Sequence, residues 1–269
     1  MATDTSNDAT IENLPVLTKT AAMEEASHSD TKDAQEELPL PEELPPSKWA
    51  ELQELHPYAQ TLTLQDVDAC VLLENSAFPE GQRASREKFI YRISACGELC
   101  LGLFTTADPS GPGPPDPNLD TATGPAAPLV ETSAERKGVL LAHIVATKTH
   151  NHHVKDHDME IPPDWQADPP GVSRLGHQEH GGTVAIHSLA VLPRYQGKGL
   201  GSTLLREYIK RIRQEGQVDR ISLITYNRLI TYYQQFGFEN RGVSEARFGE
   251  QSWFDMVLTI NKSDQNQAA

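Results

Sequence analysis

The residues whose spacing carries the most chemistry are the glycines of Gln196-Gly197-Lys198-Gly199-Leu200-Gly201-Ser202. Three glycines at alternate positions, followed at once by an amphipathic run, describe a turn that opens a helix. A turn of this kind leaves backbone N–H groups unpaired and pointing one way, and the helix dipole adds to their positive potential. That arrangement suits a pyrophosphate, and glycines let its oxygens approach without meeting a Cβ. The string is neither the G-x-G-x-x-G of dinucleotide sites nor the G-x-x-x-x-G-K-[ST] of P-loops. Taken alone, the glycines are equally compatible with a tight strand-to-helix turn and nothing more.

The elements that must position this turn are legible on both sides. Val184 to Leu192 is apolar and β-branched enough for a buried strand, which Pro193 ends. From Leu200 onward, Leu204, Leu205, Tyr208 and Ile212 recur at helical spacing, with Arg206, Glu207, Lys210, Arg211 and Arg213 between them. Downstream, Arg220 to Tyr226 reads as a strand, Leu229 to Phe236 as a short helix, and Phe238 and Ser252–Ile260 as the closing strands. Upstream, Thr61 to Leu64 alternates as a strand should. Asp66 to Phe78 places Val67, Val71, Leu72 and Phe78 at helical spacing, and a second helix runs from an N-cap at Ser85 to about Ile93.

Leu99–Phe104 and Gly138–Thr147 are apolar strands, the second continuous enough to be buried on both faces. Between them, Thr105 to Lys137 is rich in Pro, Gly, Asp, Ala and Thr and is expected to be a solvated insertion. Lys148 to Gly182 is a second insertion, expected to be a flexible loop beside the site. It carries His150, His152, His153, His157, His177 and His180, whose spacing matches no structural zinc pattern, so no metal is expected. The order of elements is that of a mixed α/β sheet with flanking helices.

The full turn string resembles the Gln/Arg-x-x-Gly-x-Gly/Ala signature of the GNAT family of N-acetyltransferases. Tyr226-Asn227 and Tyr233-Gln234-Gln235-Phe236-Gly237-Phe238 are similar to that family's N-x-x-x-x-x-Y-x-x-x-G-F ending, in the right order. AIHSLAV before the turn and ITYYQQFGF after it, with LLENSAF and ISACGELCLGLF upstream, resemble arylalkylamine (serotonin) N-acetyltransferases and fungal polyamine acetyltransferase-like proteins. The likeness spans about Leu62 to Thr259, interrupted by the two insertions.

The resemblance implies the acyl-CoA N-acyltransferase fold and acetyl-CoA as co-substrate. Its pyrophosphate would lie on Gln196, Gly197, Lys198, Gly199, Leu200, Gly201 and Ser202, and its pantetheine arm along Leu189, Ala190 and Val191, with Asn227 and Tyr233 completing the site. It also implies roles in catalysis. His187 would help to carry away the amine proton, although a second histidine of those relatives is replaced here by Ala185. Tyr233 would protonate the departing thiolate, and Glu80 would be an acidic base as in some insect relatives. For His187 the other reading is a hydrogen-bonded core residue, for Glu80 a solvated carboxylate and for Tyr233 a packed aromatic. The implied acceptor is a small arylalkylamine or polyamine. A protein N-terminus or lysine, or a non-catalytic acetyl-CoA-binding module, remains open.

The chain's 269 residues, 38% hydrophobic, suffice for one core of ordinary size. A net charge of −15 argues against nucleic acid as partner. Residues 1–47 hold eleven acids against Lys19 and Lys32, have few aromatics, no periodicity and a proline cluster at their end, and are expected to be disordered. The catalytic domain is expected over residues 58–261, followed by a polar tail at 262–269. No window approaches the roughly 18 apolar residues of a membrane helix, and no signal or transit peptide is evident. Cys70, Cys96 and Cys100 form no CxxC and are expected to be reduced thiols. These features lead to the expectation of a cytoplasmic monomer with no membrane partner.

Overall fold

The computed structural model describes residues 56–107, 122–125, 137–167, 171–250 and 252–260. All of them belong to one compact unit, Leu38–Ala269. The acidic segment 1–47 and the tail 262–269 lie outside the described residues.

The centre of the fold is β4 (Lys137–Thr149), whose GVLLAHIVAT offers no polar face. Every residue from Gly138 to Thr149 is buried, so both faces of this strand are covered, as its unbroken apolar run requires. Around it, the described strands are β1 (Tyr58–Thr61), β2 (Leu101–Ala107), β3 (Ala122–Pro125), β5 (Thr183–Val191), β6 (Arg220–Thr225), β7 (Glu239–Val243) and β8 (Phe254–Thr259). They form one sheet in the order β1-β2-β4-β5-β6-β8-β7, with β3 paired to β4 off that path. Only β5 and β6 run parallel, and the other pairings are antiparallel. Helices α1 (Val67–Ala77), α2 (Arg86–Cys96) and α3 (Leu200–Glu215) all pack on β4, and α4 (Ile230–Gln234) packs beside β7 and β8.

Several boundaries differ from the sequence reading for local reasons. The first strand ends at Thr61 instead of running to Leu64. Leu62 turns into the core, and Asp66 Oδ2 accepts both the N–H and the hydroxyl of Thr63 at 2.8 Å, capping a short 3₁₀ turn. In α1 the buried stripe is Val67, Cys70, Leu73 and Glu74, whereas Leu72 faces outward at 43% exposure. Ser85 does cap α2, accepting the Lys88 N–H at 3.2 Å, but the helix continues to Cys96. The short helix before Phe236 is a 3₁₀ turn, Asn227–Leu229, running into α4.

The two insertions correct the expectation most. The first contributes β3, a four-residue strand against Lys137–Val139, while most of its remainder lies outside the described residues. The second does not hang free as a loop. Val154 and Met159 are buried against Ala185, with Ile224 and Phe248 packed around them. Asp158, 1% exposed, accepts the Thr149 hydroxyl at 2.6 Å and the Lys155 N–H at 2.8 Å. The Arg92 guanidinium donates to the Met159 carbonyl at 3.1 Å, and His153 meets Asp255 at 3.2 Å. His177 accepts the Lys148 N–H through Nδ1 at 3.1 Å. These histidines therefore pin the insertion down. Among the described residues no group of His, Cys, Asp or Glu could hold a metal ion, and no helix is long and apolar enough to cross a membrane.

Candidate active site

The site begins where β5 and β6 part. Their parallel pairing runs from Thr183–Arg220 to Ile186–Leu223 and stops there. Beyond it β5 stays with β4 as far as Val191, while β6 stays with β8 as far as Thr225. The register of β4 against β5 slips at this point, Val145 facing Ser188 and Ala146 facing Ile186, so His187 is the extra residue of a bulge. The edge of β5 from His187 to Val191 thereby has no strand neighbour on the β6 side among the described residues.

A cavity of about 640 Å³ fills this gap. One wall is Leu189, Ala190 and Val191, and the opposite wall is Tyr226, Arg228, Leu229, Tyr232 and Tyr233. Gln196, Gly197, Gly199, Leu200, Gly201 and Ser202 close one end, and Ala77, Phe78 and Pro79 approach from the end of α1. Gly197 and Gly199 have φ of 71° and 91°, which side chains rarely adopt. Gly201 is needed for a different reason, because a Cβ there would meet Val191 Cγ2 and the Tyr232 hydroxyl at 3.3 Å. Gln196 ties the turn to the parted strand by donating to the Val191 carbonyl at 3.0 Å. The first-turn amides of α3, at Leu200, Gly201 and Ser202, have no helical acceptor and lie at the cavity's end. The helix behind them is anchored by Leu204, Leu205 and Tyr208, the last donating to the Leu99 carbonyl at 2.9 Å.

Ten of the fourteen residues singled out in the sequence thus line one cavity. Lys198 and Asn227 do not; Asn227 is exposed, while Tyr226, Arg228 and Leu229 around it are part of the lining. His187 and Glu80 also lie outside the lining. His187 is half-buried, its Nε2 is 2.7 Å from the Thr147 hydroxyl, and its enclosed Nδ1 has no partner among the described residues. Burial above all, with Arg92 and Lys88 nearby, pushes its pKa well below the usual histidine value. Glu80 is exposed at the start of a 3₁₀ turn, one residue past the lining residue Pro79. Tyr233 is buried at 7% exposure; burial chiefly, and Tyr232 secondarily, push its pKa above the usual phenol value, against a hydrogen bond with Thr225.

Sequence reasoning missed a buried polar cluster behind the cavity wall. Glu74 of α1 accepts the Ser188 hydroxyl at 2.7 Å and the Ala84 N–H at 3.0 Å. His143 Nε2 of β4 lies 3.0 Å from the Ser188 oxygen and 3.3 Å from Glu74 Oε2. Since Ser188 gives its proton to Glu74, its oxygen accepts from His143, which places the ring proton on Nε2. Serine and carboxylate share one ring nitrogen, whereas a nucleophilic triad needs them on opposite nitrogens. The cluster is therefore no acyl-enzyme machinery. A glutamate at a buried helix phase and a lone histidine inside GVLLAHIVAT were its signals.

A mixed sheet whose parallel pair opens over a glycine-headed helix is the acyl-CoA N-acyltransferase architecture. The chain belongs to the acetyltransferase (GNAT) family, whose model matches residues 103–238, half of the chain. Over 84 residues it is 29% identical to the serotonin N-acetyltransferase of Mesocricetus auratus, covering 31% of this chain and 41% of that protein. Over 97 residues it is 27% identical to the Macaca mulatta serotonin N-acetyltransferase, covering 36% and 48%. The chain thus spans less than half the length of these curated relatives. Among solved structures, the GphF GNAT-like decarboxylase in complex with isobutyryl-CoA superposes with a TM-score of 0.50 at 13% identity, covering 76% of this chain and all of that one. The loading GNATL domain of CurA from Lyngbya majuscula gives 0.50 at 14% identity, covering 76% and 98%. At these identities the likeness concerns the fold alone.

Proposed function

We propose that the protein is an acetyl-CoA-dependent N-acetyltransferase that acts, as a cytoplasmic monomer, on the primary amine of a small arylalkylamine or polyamine. The observation that carries this reading is the opening of β5 from β6 over a cavity with the glycine turn at one end and Tyr233 opposite. The pyrophosphate would accept from the amides at Leu200 to Ser202, and the pantetheine arm would pair with the free β5 edge. The amine nitrogen attacks the thioester carbonyl carbon, forming the C–N bond as the C–S bond breaks. A β5 amide between Leu189 and Val191 would receive the developing oxyanion.

Two protons then move. The one leaving the amine passes to water or to neutral His187, and the thiolate takes one from Tyr233, which solvent restores. Burial keeps the Tyr233 phenol protonated throughout the working range, so the proton is in place, while the same shift makes it a weaker acid than an exposed phenol. Aromatic Phe78 and Tyr226 on the lining favour an acceptor with a ring. Glu80, exposed and outside the lining, is the least supported of the three catalytic candidates. The test is a thiol-release assay with acetyl-CoA over a panel of tryptamine, spermine and lysine-containing peptides. Turnover highest on the small amines supports the assignment; turnover confined to peptides replaces the acceptor, and none at all removes the enzymatic reading.

A further inference from the structure

Glu74 holds the segment after α1 at both ends. Its backbone carbonyl accepts the Phe78 N–H at 3.0 Å, and its side chain accepts the Ala84 N–H at 3.0 Å. Between these points Arg83 Nε donates back to the Phe78 carbonyl at 2.7 Å, so residues 78–84 close on themselves. Phe78 and Pro79 of this segment line the cavity, and Gln82 accepts the hydroxyl of Tyr226 on the opposite wall. The second carboxylate oxygen of Glu74 binds Ser188, the residue before the lining residue Leu189. His143 fixes that hydroxyl from β4 and is held edge-on by Phe89 with ring centroids 5.5 Å apart.

We propose that Glu74, with Ser188 and His143, is a positioning clasp that sets the 78–84 segment against the open edge of β5 and so fixes the acceptor amine relative to the thioester. This rests on the acetyl-transfer reading of the cavity. None of the three side chains need touch substrate: Glu74 is 2%, His143 0% and Ser188 3% exposed. An ionised group this deep is costly unless it holds something in place, and an apolar residue would fill the same space more cheaply. What the carboxylate holds is three separate elements: the turn through the Ala84 amide, β5 through Ser188 and β4 through His143. Because reacting atoms must meet within a fraction of an ångström, loosening this link changes the chemical step more than coenzyme binding.

The test compares the full chain with Glu74→Gln and Ser188→Ala. Coenzyme A titration, initial rates with tryptamine and acetyl-CoA, and hydrogen exchange at the Ala84 amide are measured on each. Glu74→Gln is expected to lose about tenfold to a hundredfold in kcat with tryptamine, to keep its coenzyme Kd within about twofold, and to exchange Ala84 faster. Ser188→Ala, nearly isosteric, should show the same pattern at smaller size and serves if Glu74→Gln does not fold. Unchanged kcat in the folded variants, or a loss confined to coenzyme Kd, overturns the proposal. If the unaltered chain acetylates neither tryptamine nor any other amine, the reaction is what has failed. The clasp is then judged on Ala84 exchange, where unchanged protection overturns it and faster exchange supports it.

Discussion

At the scale of single residues, the enclosure of His187 decides how the rate should depend on pH. Its pKa lies well below the ordinary value because burial, then Arg92 and Lys88, oppose the charged ring. Its titration is thus moved below the ordinary histidine range, and no step near 6.5 is expected from it. An alkylamine with a pKa near ~10.4 gains free base about tenfold per pH unit through this range. With subsaturating tryptamine, kcat/KM should therefore climb about tenfold per unit from pH 6 to 8 with no inflection near 6.5; an inflection there would show that His187 titrates normally. The same shift has a stability consequence. The unfolded chain binds a proton at His187 below about 6.5 while the native one resists it, so stability is complete above that pH and is lost as pH falls toward the lowered native value. His187→Gln should flatten part of the acid limb in thermal melts, provided the variant keeps the Thr147 contact. Tyr233→Phe should lower kcat by about 10²–10⁴ with coenzyme affinity little changed. A fully active Tyr233→Phe would give the proton to water.

At the scale of elements, the glycine turn was legible because its conformations exclude alternatives. Positive φ at Gly197 and Gly199 strongly favours glycine, and the spacing with the amphipathic run behind it announces a helix head. Gly199→Val should weaken coenzyme binding at least about tenfold in a titration, since left-handed backbone costs an L side chain roughly 1–2 kcal/mol before any clash with the ligand. An unchanged coenzyme affinity in a folded Gly199→Val would dissociate the turn from the ligand. Helix α3 was equally readable, its apolar positions matching the buried Leu204, Leu205, Tyr208 and Ile212. What could not be read was anything assembled from several elements. Glu74, His143 and Ser188 each sit in an ordinary context, 69 and 45 residues apart along the chain, and only folding joins them. The second insertion was misread for a related cause. Val154 and Met159 are too few to make a periodic face, yet two apolar side chains are enough to cover Ala185. A histidine at Ala185 would have to displace them.

At the scale of the whole molecule, long-range and local charge act on the acceptor in opposite senses. The chain carries −15, which draws ammonium ions toward it and turns anionic acceptors away. Close to His187, however, stand Lys88 and Arg92, the second 4% exposed, with Glu160 3.5 Å from the Lys88 ammonium. A cation brought near them is pressed toward its neutral form, which is the form that attacks a carbonyl. Additional positive charges on the same acceptor would meet the same repulsion with no benefit to the reaction. A monoamine carrying an aromatic ring satisfies both demands, being attracted as a single cation and able to pack against Phe78 and Tyr226. We expect tryptamine-like amines to exceed spermine in kcat/KM, and both to exceed lysine-containing peptides. Added salt should weaken spermine's kcat/KM more steeply than tryptamine's, because screening removes attraction in proportion to charge over a Debye length of about 10 Å at 0.1 M. Peptides exceeding every small amine in kcat/KM would move the acceptor assignment to proteins while leaving the transfer chemistry in place.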